Sequence, residues 1–302
     1  MVKIKSFETS HYYPTNFEGL EELVRFPDGE VKRNSIPNST VWSFNGENHE
    51  YNSNILSNDV GCGIAAFLIN GVDVKEATDK IYTHLKNKNI LGRGNHFIDI
   101  VSEMKNPYQE VSFGHNSNLL IVHSDGKSYD PSIPTNVEDA ITKQKSAETF
   151  REDLGHTLAE IIGANSELVG NWTHNSVETS EKNGNIIYRK GVVKVEPNKL
   201  QFLPACIGQE VLFYTVDGEN LPPYSSMPHA TGRSKPRGEG KVSLEDANSL
   251  RDLIYIPEGI SDSSLRTEHP SCFNGFEKII ESLGKYIVPV AESKILSYVG
   301  KV

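Results

Sequence analysis

A chain of 302 residues, 37% hydrophobic and 23% charged with Gly and Pro spread throughout, can bury a sizeable core, which excludes a disordered or fibrous protein. The formal net charge of -10 excludes holding nucleic acid by bulk electrostatics, because neutralising phosphates takes clustered Lys and Arg; any RNA contact must be local. Three cysteines, Cys62, Cys206 and Cys272, with no C-x-x-C pair imply neither a disulfide framework nor a zinc ribbon and fit a reducing compartment.

The N-terminal MVKIKSFETSHYYPTNFEG has no apolar signal core, and no stretch approaches the roughly 20 apolar residues of a membrane span, so a cytoplasmic protein without a membrane partner is expected. Val74, Ala77, Ile81 and Leu85 recur at helical spacing and predict a helix within 72–90. The apolar run 118–124 predicts a strand, and 137–162 reads as one or two helices. Runs rich in β-branched residues predict strands at 186–196, 199–207 and 210–216, with sheet filling most of the second half until a helix near 273–284. No repeat or Pro/Ser-rich linker interrupts the chain, so one continuous domain over 1–302 is expected. The irregular alternation predicts an α+β fold, with mixed or antiparallel sheets flanked by helices, rather than a doubly wound parallel sheet.

Short polar motifs punctuate the ends of these apolar runs. Asp59 and Cys62 fall in NDVGCG, His96 in LGRGNHFID, His123 in LLIVHSDGK, His174 in GNWTHNSVE and His229 in SSMPHATGR. A carboxylate, a thiolate and several imidazoles brought together make a site for a first-row divalent metal, and a thiolate is able to bridge two ions. Gly61 and Gly63 would allow the tight turn that aims Asp59 and Cys62 at one place. Taken singly, a cysteine between glycines is more often a small buried hydrophobe, and a histidine at a strand end is usually structural. That structural reading is kept for His11, His49, His84, His115, His156 and His269.

In this order DVGCG, GNHF, a strand ending in HS, HN, RKG and H-A-x-G-R resemble the RtcB family of RNA-splicing ligases, from about Asp59 to the C-terminal VGKV. The resemblance implies two manganese ions, one on Asp59, Cys62 and His96, the other on Cys62, His123 and His174. It implies that His229 attacks GTP and becomes guanylylated, that GMP passes to an RNA 3'-phosphate, and that a 5'-hydroxyl then expels it. A 2',3'-cyclic phosphate end would first be opened. Such a ligase takes the ends of tRNA halves or of broken RNA, in splicing or in repair. A monomer is expected, with an activating protein partner left open.

For the nucleotide, the resemblance points to Asn95 near the phosphates and to Arg189, Lys190, Arg233, Arg237 and Lys127 as cations for the triphosphate or the RNA ends. Asp99 stands where the family has a longer glutamate that reaches the base, and Lys301 falls near a base-contacting lysine. The chain also departs from the family. The stretches from Cys62 to His96 and from His123 to His174 are compressed, Lys127 replaces an arginine, and Phe273 replaces a tyrosine that contacts guanine. Two other readings stand beside ligation: a dinuclear-metal phosphoesterase or nucleotidyl transferase, and a non-catalytic protein that binds RNA ends.

Overall fold

Apolar runs become strands and capped amphipathic runs become helices in the computed structural model, which describes residues 2–7, 14–28, 36–47, 49–92, 96–102, 117–235, 239–300 and 302. In chain order the elements begin with β1 (Lys3–Ser6), β2 (Leu20–Arg25), β3 (Thr40–Phe44), β4 (Gly63–Asn70), α1 (Val74–Leu85), β5 (Phe97–Val101) and β6 (Ser117–Ser124). There follow α2 (Val137–Ile162), β7 (Ser166–Thr173), β8 (Asn175–Thr179), β9 (Ile186–Lys190), β10 (Val192–Lys194), β11 (Gln201–Pro204), β12 (Glu210–Thr215) and β13 (Ser226–Pro228). The chain closes with α3 (Leu244–Leu253), α4 (Asp262–Leu265), α5 (Glu277–Leu283) and β14 (Val288–Gly300).

A seven-stranded antiparallel sheet in the order β11-β12-β14-β5-β6-β4-β7 forms the centre. A five-stranded sheet, β1-β2-β3-β9-β8, is antiparallel except between β1 and β2, and β10 pairs with β13. The expected α+β class is therefore observed. In β4 the run Gly63–Phe67 is buried without alternation, as a strand covered on both faces must be. Helix α2 packs against β4, β6 and β7. Asn136 caps the start of α2 by accepting from the Asp139 N–H, and Gly163, at φ 80°, ends it.

Several expected boundaries shift. The strand expected at 186–196 is broken by Gly191 (φ 65°) into β9 and β10, whereas 137–162, expected as one or two helices, keeps its bounds as one helix. The second half is less purely sheet than expected, because α3 and α4 precede α5. Helix α3 has a readable cap, Ser243 accepting from the Asp246 N–H, but only Ala247 and Leu250 are buried, too few to give a strong helical period. The longest strand, β14, was not foreseen because polar residues interrupt its apolar pattern at Glu292, Ser293 and Lys294. No described helix is long and apolar enough to cross a membrane.

Candidate metal centre and its neighbouring histidine

Antiparallel pairing brings the polar motifs together. Because β6 and β7 both run opposite to β4, the start of β4 lies beside the ends of the other two, with Gly63 opposite Ser124 and Thr173. The start of β5 joins the same edge, with Phe97 opposite His123. Cys62 immediately precedes β4, His96 precedes β5, His123 is the penultimate residue of β6, and His174 follows β7. Four side chains remote in sequence therefore meet at one end of the sheet.

Among the described residues, Cys62, His96 and His123 form a buried group whose donor atoms all lie within 4.8 Å of one another, and this group is able to hold a metal ion. Sγ of Cys62 is 3.3 Å from Nε2 of His96 and 3.7 Å from Nε2 of His123. A tetrahedral ion with sulfur at about 2.3 Å and imidazole nitrogen at about 2.0–2.1 Å separates such donors by about 3.5 Å, so the two distances straddle the required edge. Three protein ligands leave a position open, as in catalytic rather than structural sites.

His174 adjoins this group, its ring centroid 5.2 Å from that of His123, and His229 continues the row at 4.4 Å from His174. Burial, with His229 and His123 next in effect, holds His174 well below the usual imidazole range, so it is neutral, as a ligand must be. Burial and the negative charge of Asp59 push the Cys62 thiol up, while Arg151 opposes them. Asp59 is hydrogen-bonded to the thiol and accepts from the Gly126 N–H at 3.1 Å.

The backbone fixes the loop that carries Cys62. The carbonyl of Cys62 accepts from the N–H groups of His174 and Asn175 at 2.9 and 3.2 Å. Arg151, fully buried on α2, donates to the Gly61 carbonyl at 2.9 Å, and also to Ser124, Asn171 and Thr173. Burial pulls this guanidinium down to about 10, against the opposing charges of Cys62, Glu148 and Glu152. Sequence reasoning missed Arg151, although an arginine on the stripe Ala147, Arg151, Leu154, Leu158 is a detectable anomaly.

His229 follows β13, and its Nδ1 lies 2.8 Å from the Gly191 carbonyl oxygen. A carbonyl only accepts, so Nδ1 carries the proton, and in the neutral ring Nε2 keeps its lone pair. The RKG glycine thus has a purpose: its positive φ turns that carbonyl toward His229. On the far side of Nδ1, at 3.5 Å, stands a carboxylate oxygen of Asp28, a buried residue that sequence reasoning missed.

A cavity of about 80 Å³ opens against His123 and His229, lined also by Asp99, Cys206, Glu268 and Phe273. Asp99 is buried, its Oδ1 has no hydrogen-bond partner, and burial with the nearby Glu268 raises its carboxyl well above the usual range. Asp99 and Phe273, two positions of the implied base pocket, therefore line one cavity.

The expected phosphate cations are placed differently. Arg189 is 1% exposed and donates to Glu178 at 2.8 Å, to Ser226 at 2.8 Å and to the Tyr224 carbonyl at 3.0 Å, so in this structure it ties sheet to loop rather than facing a ligand. Lys190 is buried and donates to the Ile36 carbonyl and to Ser57 Oγ, both at 2.6 Å. Arg233 donates to the Thr267 carbonyl at 2.6 Å, contacts Glu268 at 3.4 Å and lies over the Phe273 ring. Lys127 is exposed. Asn95, Arg237 and Lys301 lie outside the described residues. No protein-family model and no curated protein matches this chain.

Proposed function

We propose that this protein is a GTP- and manganese-dependent RNA ligase that joins 3'-phosphate or 2',3'-cyclic phosphate ends to 5'-hydroxyl ends through a guanylylated His229. The observation that carries the reading is the row Cys62, His96, His123, His174, His229 at one end of the central sheet, with the last histidine free at Nε2. Asp59, Cys62, His96, His123 and His174 are the residues that would hold the metal, which supplies positive charge to neutralise phosphate. Nε2 of His229 attacks the α-phosphorus of GTP, the bond to pyrophosphate breaks, and the histidine carries GMP. The 3'-phosphate of RNA takes GMP from His229, and a 5'-hydroxyl displaces it as the phosphodiester forms.

Gly191 and Asp28 act on the other side of the ring. Gly191 fixes the tautomer, and the charge of Asp28 stabilises the cationic imidazole that forms on phosphorylation of Nε2. Asp99, in the adjoining cavity, offers an acceptor to a base with ring and amino N–H donors, as guanine has. The activity is read as that of a single-domain cytoplasmic monomer, whether in tRNA splicing or in RNA repair.

The test is incubation with manganese and GTP labelled at the α-phosphate. An acid-labile, alkali-stable label on the protein is expected, absent in His229→Ala, together with joining of RNA 3'-phosphate and 5'-hydroxyl ends. One observation favours the phosphoesterase or nucleotidyl-transferase reading: Arg189 and Lys190 are engaged within the fold rather than held out to a triphosphate. A label without joined RNA would select it, and neither label nor metal would select a protein that only binds RNA ends.

A further inference from the structure

We propose that Tyr129, stacked on Phe150, is a platform for an unpaired RNA base close to the reacting end, with Lys127 beside it for a phosphate. This rests on the reading of the protein as one that takes RNA ends, and it names the surface that holds the strand.

The ring of Tyr129 is 47% exposed, yet it lies stacked on Phe150 with centroids 4.9 Å apart and an interplanar angle of 26°. Phe150 stands on α2 and packs against the main core, so the pair is anchored from below. With one face on Phe150, the exposure that remains lies on the opposite face and the edge, where a base stacks. The loop is fixed on both sides of the ring. Before it, Asp125 accepts from the N–H groups of Lys127 at 3.2 Å and of Ser128 at 2.9 Å. After it, the buried Lys143 of α2 donates to the carbonyls of Asp130, at 2.5 Å, and of Ser132. A ring already held in place loses little further freedom on binding.

The same loop touches the candidate metal centre. It leaves β6 just after His123, and its Gly126 N–H donates to Asp59 at 3.1 Å. Three residues of chain reach at most about 10–11 Å, so Tyr129 stands within that distance of Gly126, near enough for a base beside a bound RNA end. Lys127, between the two, is exposed. The net charge of -10 gives no bulk attraction for RNA, and stacking needs none, since every base has a π-face.

The test is binding of the full chain to short single-stranded RNAs, one ending in a 3'-phosphate and one beginning with a 5'-hydroxyl, each carrying 2-aminopurine near that end. Its fluorescence should be quenched in at least one of them, which tells the strand that reaches the ring, and a fully paired duplex of the same sequence should compete poorly. Tyr129→Ala should weaken binding about tenfold or more and abolish the quenching, whereas Tyr129→Trp should keep both. Tyr129→Leu retains an apolar contact with Phe150 but has no π-face, so weakened binding at an unchanged denaturation midpoint reports stacking rather than folding. Lys127→Ala should lower the salt dependence by about one phosphate contact, which Tyr129→Ala leaves unchanged. Quenching in neither RNA, or binding by Tyr129→Ala or Tyr129→Leu as tight as that of Tyr129→Trp, would overturn the proposal. A protein that passes these tests but takes no label from GTP loses the ligase reading and keeps this one. A protein that joins RNA ends while Tyr129→Leu binds them undiminished does the reverse.

Discussion

A carboxylate oxygen of Asp28 stands 3.5 Å from Nδ1 of His229, inside the protein and on the side of the ring opposite to Nε2. Gly232, in the same motif as His229, packs so closely that a methyl group on it would meet the Asp28 backbone at 2.5 Å, so the motif fixes both partners. At 3.5 Å the contact is long for a hydrogen bond but short enough for charge to act.

Asp28→Asn is expected to slow labelling of His229 by about tenfold or more, by removing the charge that steadies the imidazolium. The same change should stabilise the protein at neutral pH by about 1 kcal/mol. Burial raises the Asp28 carboxyl, with His229 opposing, so the folded state holds this proton more tightly than the unfolded chain. Its stability contribution is full below the ordinary carboxyl range of about 4 and is lost as pH rises through the folded value. The advantage of Asp28→Asn should therefore grow on going from acid to neutral pH. Urea denaturation across that range measures it, and an advantage largest in acid would contradict the assignment.

Arg151 joins α2 to the loop that carries Cys62, and its charge is the one that favours the thiolate. Arg151→Met should cost about 3 kcal/mol, since it strands the Gly61 carbonyl and its polar neighbours in the interior. Because Asp59 and Asp125 then act on the thiol unopposed, metal affinity should fall as well. A denaturation midpoint together with a cobalt titration separates the two effects.

Most of the row was legible before any fold was known, because Cys62, His96, His123, His174 and His229 each lie in a polar motif at one end of an apolar run. What convergence required, the antiparallel order around β4, is a long-range property that local periodicity does not encode. Asp28 was illegible for a related reason: an aspartate in FPDGE reads as turn chemistry, and only packing against Gly232 and His229 turns it inward. Arg189 and Lys190 show how little sequence says of burial. Basic residues before a glycine resemble a phosphate clamp, yet β9 buries both, and each finds its partners in neighbouring strands and loops.

Two glycines at opposite ends of β4 make a sharper test of packing. Gly61 has φ 90°, and an added Cβ would meet the Ala147 methyl at 2.5 Å; Gly71 has φ 70° with open space around it. Gly71→Ala should cost about 1 kcal/mol from backbone strain alone. Gly61→Ala adds overpacking and should cost about 2–4 kcal/mol, and it should weaken cobalt binding while Gly71→Ala leaves it intact. Equal costs for the two variants would show that crowding against α2 does not set the position of Cys62.

On the proposed reading, Asp99 would give nucleotide preference a pH dependence of definite sign. Its carboxyl is raised by burial and then by Glu268, so it is the protonated form that persists to higher pH than in an exposed aspartate. As pH rises through the folded value the group becomes a pure acceptor, suited to the N–H donors of guanine and unsuited to the acceptor nitrogen of adenine. The ratio of GTP to ATP labelling should therefore climb with pH, by about tenfold for one charge-assisted hydrogen bond. Asp99→Asn, which presents an amide at every pH, should flatten that rise and leave manganese binding unchanged, because Asp99 lies in the cavity and outside the Cys62, His96 and His123 group. Labelling with both nucleotides at several pH values, alongside a metal titration of the same variant, measures each part. A ratio that falls with pH, or a variant that still follows the unmodified protein, would remove Asp99 from base recognition.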